Sequence, residues 1–103
     1  MAIRHISVFF LKERTPENME TLVRGFEKVG ESYPNLLNQA GKGLLPDAPP
    51  PEGAGPDFGD VVHIIDFATP EDAAAYPTSP AHLALMKETN HLIDRVVAID
   101  YQL

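Results

Sequence analysis

Apolar residues alternate along two stretches of the chain, residues 3–11 and 61–68. In each stretch both alternating faces are mostly apolar, and a histidine, His5 or His63, interrupts one of them. A period of two is typical of a β-strand, and a strand that is apolar on both faces is covered on both faces. The pattern therefore predicts two strands at the centre of a sheet, with protein on either side.

Apolar residues at helical spacing follow the first strand, at Met19, Leu22, Val23, Phe26 and Val29. Spacings of three and four residues place such side chains on one face of a helix. Thr15 before Pro16 is a typical helix start, because a hydroxyl caps free N–H groups and proline suits the first helical position. Pro34 predicts that this helix is over by Tyr33, since the residue before a proline avoids helical backbone angles.

Two more helix starts follow the second strand, at Thr69-Pro70 and Ser79-Pro80. The first predicts a short helix through Ala75, and the second predicts a helix that runs to about Leu92. Alternating apolar residues then return, and residues 94–103 are predicted to form the last strand.

The middle of the chain carries weaker signals. Residues 36–45 include Gly41 and Gly43, which argue against a helix and favour a weak strand, at the edge of the sheet. Residues 46–60 are rich in proline and glycine and predict a loop. Such a loop acts either as a lid over a site or, more commonly, as a plain connector.

The predicted order of elements is strand, helix, weak strand, loop, strand, helix pair and strand. This order is that of an α+β, ferredoxin-like βαββαβ fold with a four-stranded antiparallel sheet. We expect residues 1–103 to form a single domain. The helices would cover one face of the sheet, and the apolar character of the other face predicts a homodimer with two sheets packed face to face.

Composition narrows the range of partners. The formal net charge is −7 with no basic run, so neither nucleic acid nor an anionic membrane is an expected partner. The chain has no cysteine, which excludes a disulfide framework, a thiolate metal site and a cysteine nucleophile. The apolar run of residues 6–11 is too short for a signal peptide or a membrane span, so we expect a soluble, cytoplasmic protein.

Tyr76 and His82 are the first candidates for chemistry. Capping by Ser79 places His82 at the third position of its helix, where the positive end of the helix dipole disfavours a second positive charge. A neutral histidine can accept a proton at pH 7. Tyrosine, with an ordinary pKa of about 10, keeps its proton and can donate a hydrogen bond. The sequence thus predicts a catalytic acid–base pair at the mouth of a pocket.

Two further histidines are predicted to converge on the same pocket. If the two clear strands are parallel neighbours, His5 and His63 share the sheet face beneath the helix that carries His82. Apolar residues would wall this cavity, namely Phe9, Val23, Phe26, Ile65, Phe67, Leu83 and Met86. A mostly apolar pocket with a few polar groups is the usual form of a small-molecule site. The predicted substrate-binding residues are His5, His63, Phe9, Phe26, Ile65 and Leu83.

Four segments carry a resemblance to known proteins, namely Arg4-His5-Ile6, Val62-His63-Ile64, Tyr76…Ser79-Pro80-Ala81-His82 and Val97-Ala98-Ile99-Asp100-Tyr101. With them the sequence resembles the stress-responsive dimeric α/β-barrel (Dabb) family over nearly its whole length, and within it the plant polyketide cyclases. The resemblance implies a dimeric α/β barrel and a cofactor-free intramolecular aldol condensation. It matches Tyr76 and His82 to a catalytic pair, and His5 and His63 to pocket histidines.

The leading functional hypothesis is therefore an acid–base enzyme that acts on a small carbonyl substrate without a metal or another cofactor. Three alternatives stay open. The histidines could bind a divalent metal, although Asp66 should face away from His63. A haem-binding or cofactor-free monooxygenase role occurs in other dimeric α/β-barrel families. The third alternative is a non-catalytic stress-responsive dimer or a small-ligand-binding protein, which a cavity filled by phenylalanines would favour.

Overall fold

The strands form where the alternating pattern indicated. They are β1 (Ile3–Leu11), β2 (Leu37–Lys42), β3 (Val61–Phe67) and β4 (Ile93–Gln102). The structure is a computed structural model that describes residues 1–45 and 57–103. The predicted loop of residues 46–60 lies mostly outside the described residues, so the choice between a lid and a plain connector stays open.

Capped prolines begin the three α-helices, α1 (Pro16–Ser32), α2 (Pro70–Ala75) and α3 (Pro80–Thr89). The Thr15 hydroxyl accepts a hydrogen bond from the Asn18 amide at 3.1 Å, as expected for an N-cap. The three predicted helix starts are confirmed. No helix in either described range is long and apolar enough to cross a membrane.

The four strands form one sheet in the order β2-β3-β1-β4, and every neighbouring pair is antiparallel. The predicted ferredoxin-like fold is confirmed, and the weak strand lies at an edge as expected. The prediction that the two clear strands are parallel neighbours is wrong, because β1 and β3 pair antiparallel. The return through α1 gives β2 the direction of β1, and β3 pairs antiparallel with both strands.

One face of the sheet, the helix face, packs against α1. The side chains that α1 buries are those predicted from helical spacing, Met19, Leu22, Val23, Phe26 and Val29. They meet Phe9, Ile65 and Phe67 of the sheet in one core. Fully burying one such side chain contributes roughly 1.5–3 kcal/mol, so this contact holds the helix on the sheet.

On the opposite face, the open face, residues 1–45 and 57–103 place no helix. Its β4 residues Val97 and Ile99 are 52% and 61% exposed, although both are large and apolar. Beside them Arg4 donates two hydrogen bonds to Asp66, at 2.8 and 2.9 Å. The hydrogen bonds from the Arg4 guanidinium lower the pKa of the Asp66 carboxyl, so these two charges offset each other.

Candidate active site

A cavity of about 260 Å³ lies on the helix face, between the β1–β4 side of the sheet and the segment that leads into α3. Its lining residues are His5, Ser7, Phe9, Phe26, Tyr76, Pro77, His82, Met86, Val96 and Ala98. In the part of the chain that the structure describes, no α-helix covers β4, whose residues are almost all exposed, so the cavity opens towards that edge. Phe9 and Phe26 form part of the cavity wall, and their rings do not fill the cavity.

The segment from Tyr76 to His82 has a fixed shape. Residues Tyr76–Thr78 form a short 3₁₀ turn, and Ser79 then caps α3. The Ser79 hydroxyl donates to the Tyr76 carbonyl at 2.7 Å and accepts from the His82 amide at 3.3 Å. These two bonds place the Tyr76 and His82 rings 4.7 Å apart between centroids.

His82 is held as a neutral base. Its Nδ1 lies 2.9 Å from the Pro77 carbonyl oxygen, which can only accept, so Nδ1 carries the proton. The other ring nitrogen, Nε2, is then unprotonated. Burial lowers the pKa of His82, although the hydrogen bond to the Pro77 carbonyl opposes that shift. At pH 7 the ring is therefore neutral and can accept a proton at Nε2.

Tyr76 supplies a buried phenol. The residue is 2% exposed, and its hydroxyl has no hydrogen-bond partner among the described residues. Burial raises the pKa of Tyr76, so the phenol keeps its proton. A buried donor without a partner is costly, and such a group is available to a ligand.

His5 reaches the same cavity from the sheet. Its Nδ1 hydrogen-bonds to the carboxylate of Asp100, which lies directly opposite in β4. The His5 and Tyr76 ring centroids are 5.9 Å apart. Asp100 therefore orients a cavity histidine, as a carboxylate commonly does.

Residues 3–103 match the model of the stress responsive A/B barrel domain, abbreviated Dabb. The chain belongs to the Dabb family. The family suggested by the four sequence segments is thus confirmed. No protein with a curated description matches this Dabb chain significantly.

Solved structures agree with the Dabb fold. An Arabidopsis thaliana protein is 22% identical, with 98% of this chain and 94% of that chain covered and a TM-score of 0.76. A dimeric ferredoxin-like protein of unknown function from Thermobifida fusca is 23% identical (100% and 92% covered, TM-score 0.75). The hydroxynitrile lyase of Passiflora edulis is 17% identical (99% and 93% covered, TM-score 0.75).

The Dabb structure brings five of the predicted site residues to the cavity and leaves three outside it. The five are His5, Phe9, Phe26, Tyr76 and His82. Ile65 is fully buried in the core and does not line the cavity. The placement of Leu83 in the wall is wrong, because its side chain is 53% exposed. The buried residue of α3 is Leu85, and residue 83 lies about 200° around the helix from it.

His63 lies deeper than predicted. It is fully buried behind the cavity, with its ring stacked on Phe26 at 4.2 Å between centroids. Its Nε2 is 2.6 Å from Oδ1 of Asn38 on β2. Burial, followed by repulsion from His5 and His82, lowers the pKa of His63 to about 3.

The metal alternative finds little support in the described geometry. Within residues 1–45 and 57–103, no three His, Cys, Asp or Glu side chains form a group that could hold a metal ion. Asp66 faces away from His63, as expected, and pairs with Arg4 on the open face.

Sequence reasoning missed Asp100 and Asn38, two polar residues that hydrogen-bond to the site histidines. Each touches a histidine of another strand, so only the strand register could have revealed it. The available signal was alternation, since residues 96, 98 and 100 share one face of β4.

Proposed function

We propose that this Dabb protein is a cofactor-independent acid–base enzyme that acts on a small carbonyl compound. In this proposal His82 is the base and Tyr76 is the hydrogen-bond donor. The observation that carries it is the unpartnered Tyr76 hydroxyl, which shares a cavity wall with the neutral His82 ring. The two groups supply the proton acceptor and the proton donor of enolate chemistry.

The reaction begins with proton abstraction. Nε2 of His82 takes a proton from a carbon next to a carbonyl group, and the electron pair moves to the carbonyl oxygen. Tyr76 donates a hydrogen bond to that oxygen, where negative charge develops. In a site with little water, a donor aimed at developing charge stabilises the transition state more than the same donor does in water.

The bond-forming step closes a ring. The enolate carbon attacks a second carbonyl of the same molecule, a carbon–carbon bond forms, and the second oxygen becomes an alkoxide. Protonated His82 returns its proton to that alkoxide, so the base is regenerated and no cofactor is consumed. Run backwards, the same steps cleave a β-hydroxy ketone, which makes a retro-aldol lyase the matching reverse activity.

The cavity supports a substrate with an apolar part. Its volume of about 260 Å³ is near the lower end of ligand pockets, which start at roughly 300 Å³. Phe9, Phe26 and Met86 give it an apolar wall on which an alkyl or aryl group can pack. A linear β-polyketone with a short chain has the required carbonyl groups and this apolar part.

The same proposal includes a homodimer. Large apolar side chains on the open face, such as Val97 and Ile99, are exposed in the single chain. The similar Thermobifida fusca protein is described as dimeric, which supports a homodimer, and the exposed apolar side chains favour the open face as its interface. A second candidate function, a non-catalytic stress-responsive or ligand-binding dimer, is favoured by this apolar surface alone.

Turnover assays separate these two functions. We would assay ring closure of linear β-polyketones and, because of the similarity to a hydroxynitrile lyase, cleavage of hydroxynitriles. His82→Ala should lower kcat/KM by roughly 10²–10⁴, the usual contribution of a general base, without changing the dimer. His91→Ala is the control, since His91 is exposed and outside the cavity.

The oligomeric state of the His82→Ala variant determines how its turnover is interpreted. Turnover that His82→Ala removes and His91→Ala leaves unchanged supports the enzyme. If neither substrate class is converted although His82→Ala stays dimeric, the non-catalytic dimer is the better description. If His82→Ala dissociates the dimer, His82 has a structural role.

A further inference from the structure

Two buried polar side-chain atoms of the described residues have no hydrogen-bond partner, Nδ1 of His63 and the hydroxyl of Tyr76. The two rings are 6.4 Å apart between centroids. The proposed function uses Tyr76 and leaves His63 without a role. A buried polar atom without a partner calls for an explanation, and a ligand or an ordered water is the common one.

The Asn38 side chain determines which ring nitrogen of His63 carries the proton. The Asn38 amide nitrogen donates to the Phe26 carbonyl oxygen at 3.0 Å, so the amide oxygen is the atom 2.6 Å from Nε2 of His63. An amide oxygen can only accept, and Nε2 must therefore carry the proton. A neutral imidazole has one N–H, so Nδ1 of His63 is a bare acceptor.

The surroundings hold this arrangement in place. The Phe26 ring, at an angle of 20°, fixes the plane of the His63 ring. The Asn38 amide lies against Gly30 of α1, where a Cβ atom would be only 2.2 Å from the amide nitrogen. The lack of a side chain at Gly30 thus leaves the space that the amide occupies.

We propose that Asn38 is a positioning residue that locks His63 in the Nε2–H tautomer, and that Nδ1 with the Tyr76 hydroxyl recognises one hydroxyl group of a ligand. A hydroxyl can accept from Tyr76 and donate to Nδ1 of His63. A ketone or an ether oxygen can only accept, which leaves Nδ1 unpaired. This inference rests on the proposed function only in taking the ligand to be the substrate.

The tautomer is tested on the free protein by ¹⁵N NMR of the histidine rings, which needs no turnover. In the wild type, Nε2 of His63 should show the shift of a protonated nitrogen and Nδ1 that of a bare one. Asn38→Leu, which removes the acceptor, should lose this fixed tautomer, and Asn38→Asp, which keeps an acceptor, should restore it. A wild-type His63 with its proton on Nδ1 would overturn the proposal even if the variants do not fold.

Asn18→Leu is the matched control. Asn18 donates to the Glu13 carbonyl at 3.0 Å, the same kind and length of bond as that from Asn38 to Phe26, and this bond involves no histidine. The tautomer of His63 should be unchanged in this variant. A change as large as that in Asn38→Leu would show that loss of any amide bond disturbs the ring.

Hydroxyl recognition is tested with phenol and anisole, which differ by one methyl group. Phenol should shift the Nδ1 resonance of His63 and bind roughly tenfold more tightly than anisole, because the ether leaves Nδ1 unpaired. If phenol causes no shift, or if both probes cause equal shifts, the proposed recognition of a hydroxyl group is overturned. A confirmed tautomer with no turnover of either substrate class would refute the proposed function and leave the positioning role of Asn38 intact.

Discussion

At the residue scale, Tyr76 shows a conflict between stability and chemistry. Its hydroxyl is buried without a partner among the described residues, an arrangement that lowers stability and leaves a hydrogen-bond donor unused. Its neighbour His82 instead satisfies one ring nitrogen with the Pro77 carbonyl and leaves the other available. The site therefore leaves one donor and one acceptor free beside each other.

Replacing Tyr76 tests that conflict directly. Tyr76→Phe should lower kcat/KM by about 10²–10³ because the donor to the developing oxyanion is lost. The same variant should raise the free energy of unfolding by about 1 kcal/mol, since a buried unpaired hydroxyl is removed. Steady-state kinetics and denaturant unfolding measure the two effects. A variant that is both less active and less stable would mean that the hydroxyl has a structural partner.

His63 predicts how stability responds to pH. Its pKa is about 3 in the folded protein and about 6.5 when unfolded, so the unfolded chain binds more protons between these values. The free energy of unfolding should therefore fall as the pH is lowered from about 6.5 towards 3, by up to about 1.4 kcal/mol per pH unit from this residue. His63→Leu should flatten the curve, whereas His91→Leu should not. Parallel curves for wild type and His63→Leu would contradict the buried, neutral state.

At the scale of elements, the close approach of α1 to β2 depends on a glycine. A Cβ atom on Gly30 would lie 2.2 Å from Nδ2 and 2.8 Å from Cβ of Asn38. On Gly25 of the same helix, only the flexible end of Leu85 comes closer than 3.0 Å. The two glycines thus differ in how rigid their neighbours are.

This difference gives a matched pair of variants. Either alanine should gain about 1 kcal/mol of helix propensity. Gly30→Ala should nevertheless lower the free energy of unfolding by about 1–3 kcal/mol through overpacking, and Gly25→Ala should cost less because Leu85 can rotate. Chemical denaturation of both variants gives the comparison. Equal effects would mean that α1 shifts as a whole to relieve either contact.

Local signals explain how much of the fold was predictable. A hydroxyl before a proline fixes a helix start within two residues, and all three such starts formed, at Pro16, Pro70 and Pro80. Strand direction depends on contacts distant in sequence, which is why β1 and β3 were wrongly taken as parallel. Leu83 was misplaced for a related reason, since nothing in the sequence shows which side of α3 meets α1.

The geometry of the candidate site was predictable to the extent that its residues lie on one short segment. Tyr76, Ser79 and His82 are close in sequence, and the cap fixes their relation. Asp100 and His5 are on strands far apart in the chain, and Asn38 reaches His63 across another strand pair. Their pairing follows from the register, which no local pattern encodes.

At the scale of the whole molecule, the open face is the feature that a single chain leaves unexplained. It presents exposed apolar side chains from β4 beside the neutralised pair of Arg4 and Asp66. Two such faces packed together would bury the apolar surface without stranding a charge. We expect light scattering to give twice the monomer mass at micromolar concentration.

One substitution tests the face. Ile99→Asp places a charge at the centre of the proposed interface and should yield monomers. Leu83→Asp changes a similarly exposed apolar residue on the helix side and should stay dimeric. If both variants keep the wild-type mass, the copies associate through another surface.

The two sides of β4 have an evolutionary consequence. Val96, Ala98 and Asp100 serve the cavity, while Val97 and Ile99 point to the open face. Under the proposed function, selection for ligand chemistry and selection for self-association act on alternate residues of one strand. Homologues that change their substrate should diverge at the even positions and keep the odd ones, and homologues that change their assembly should show the reverse.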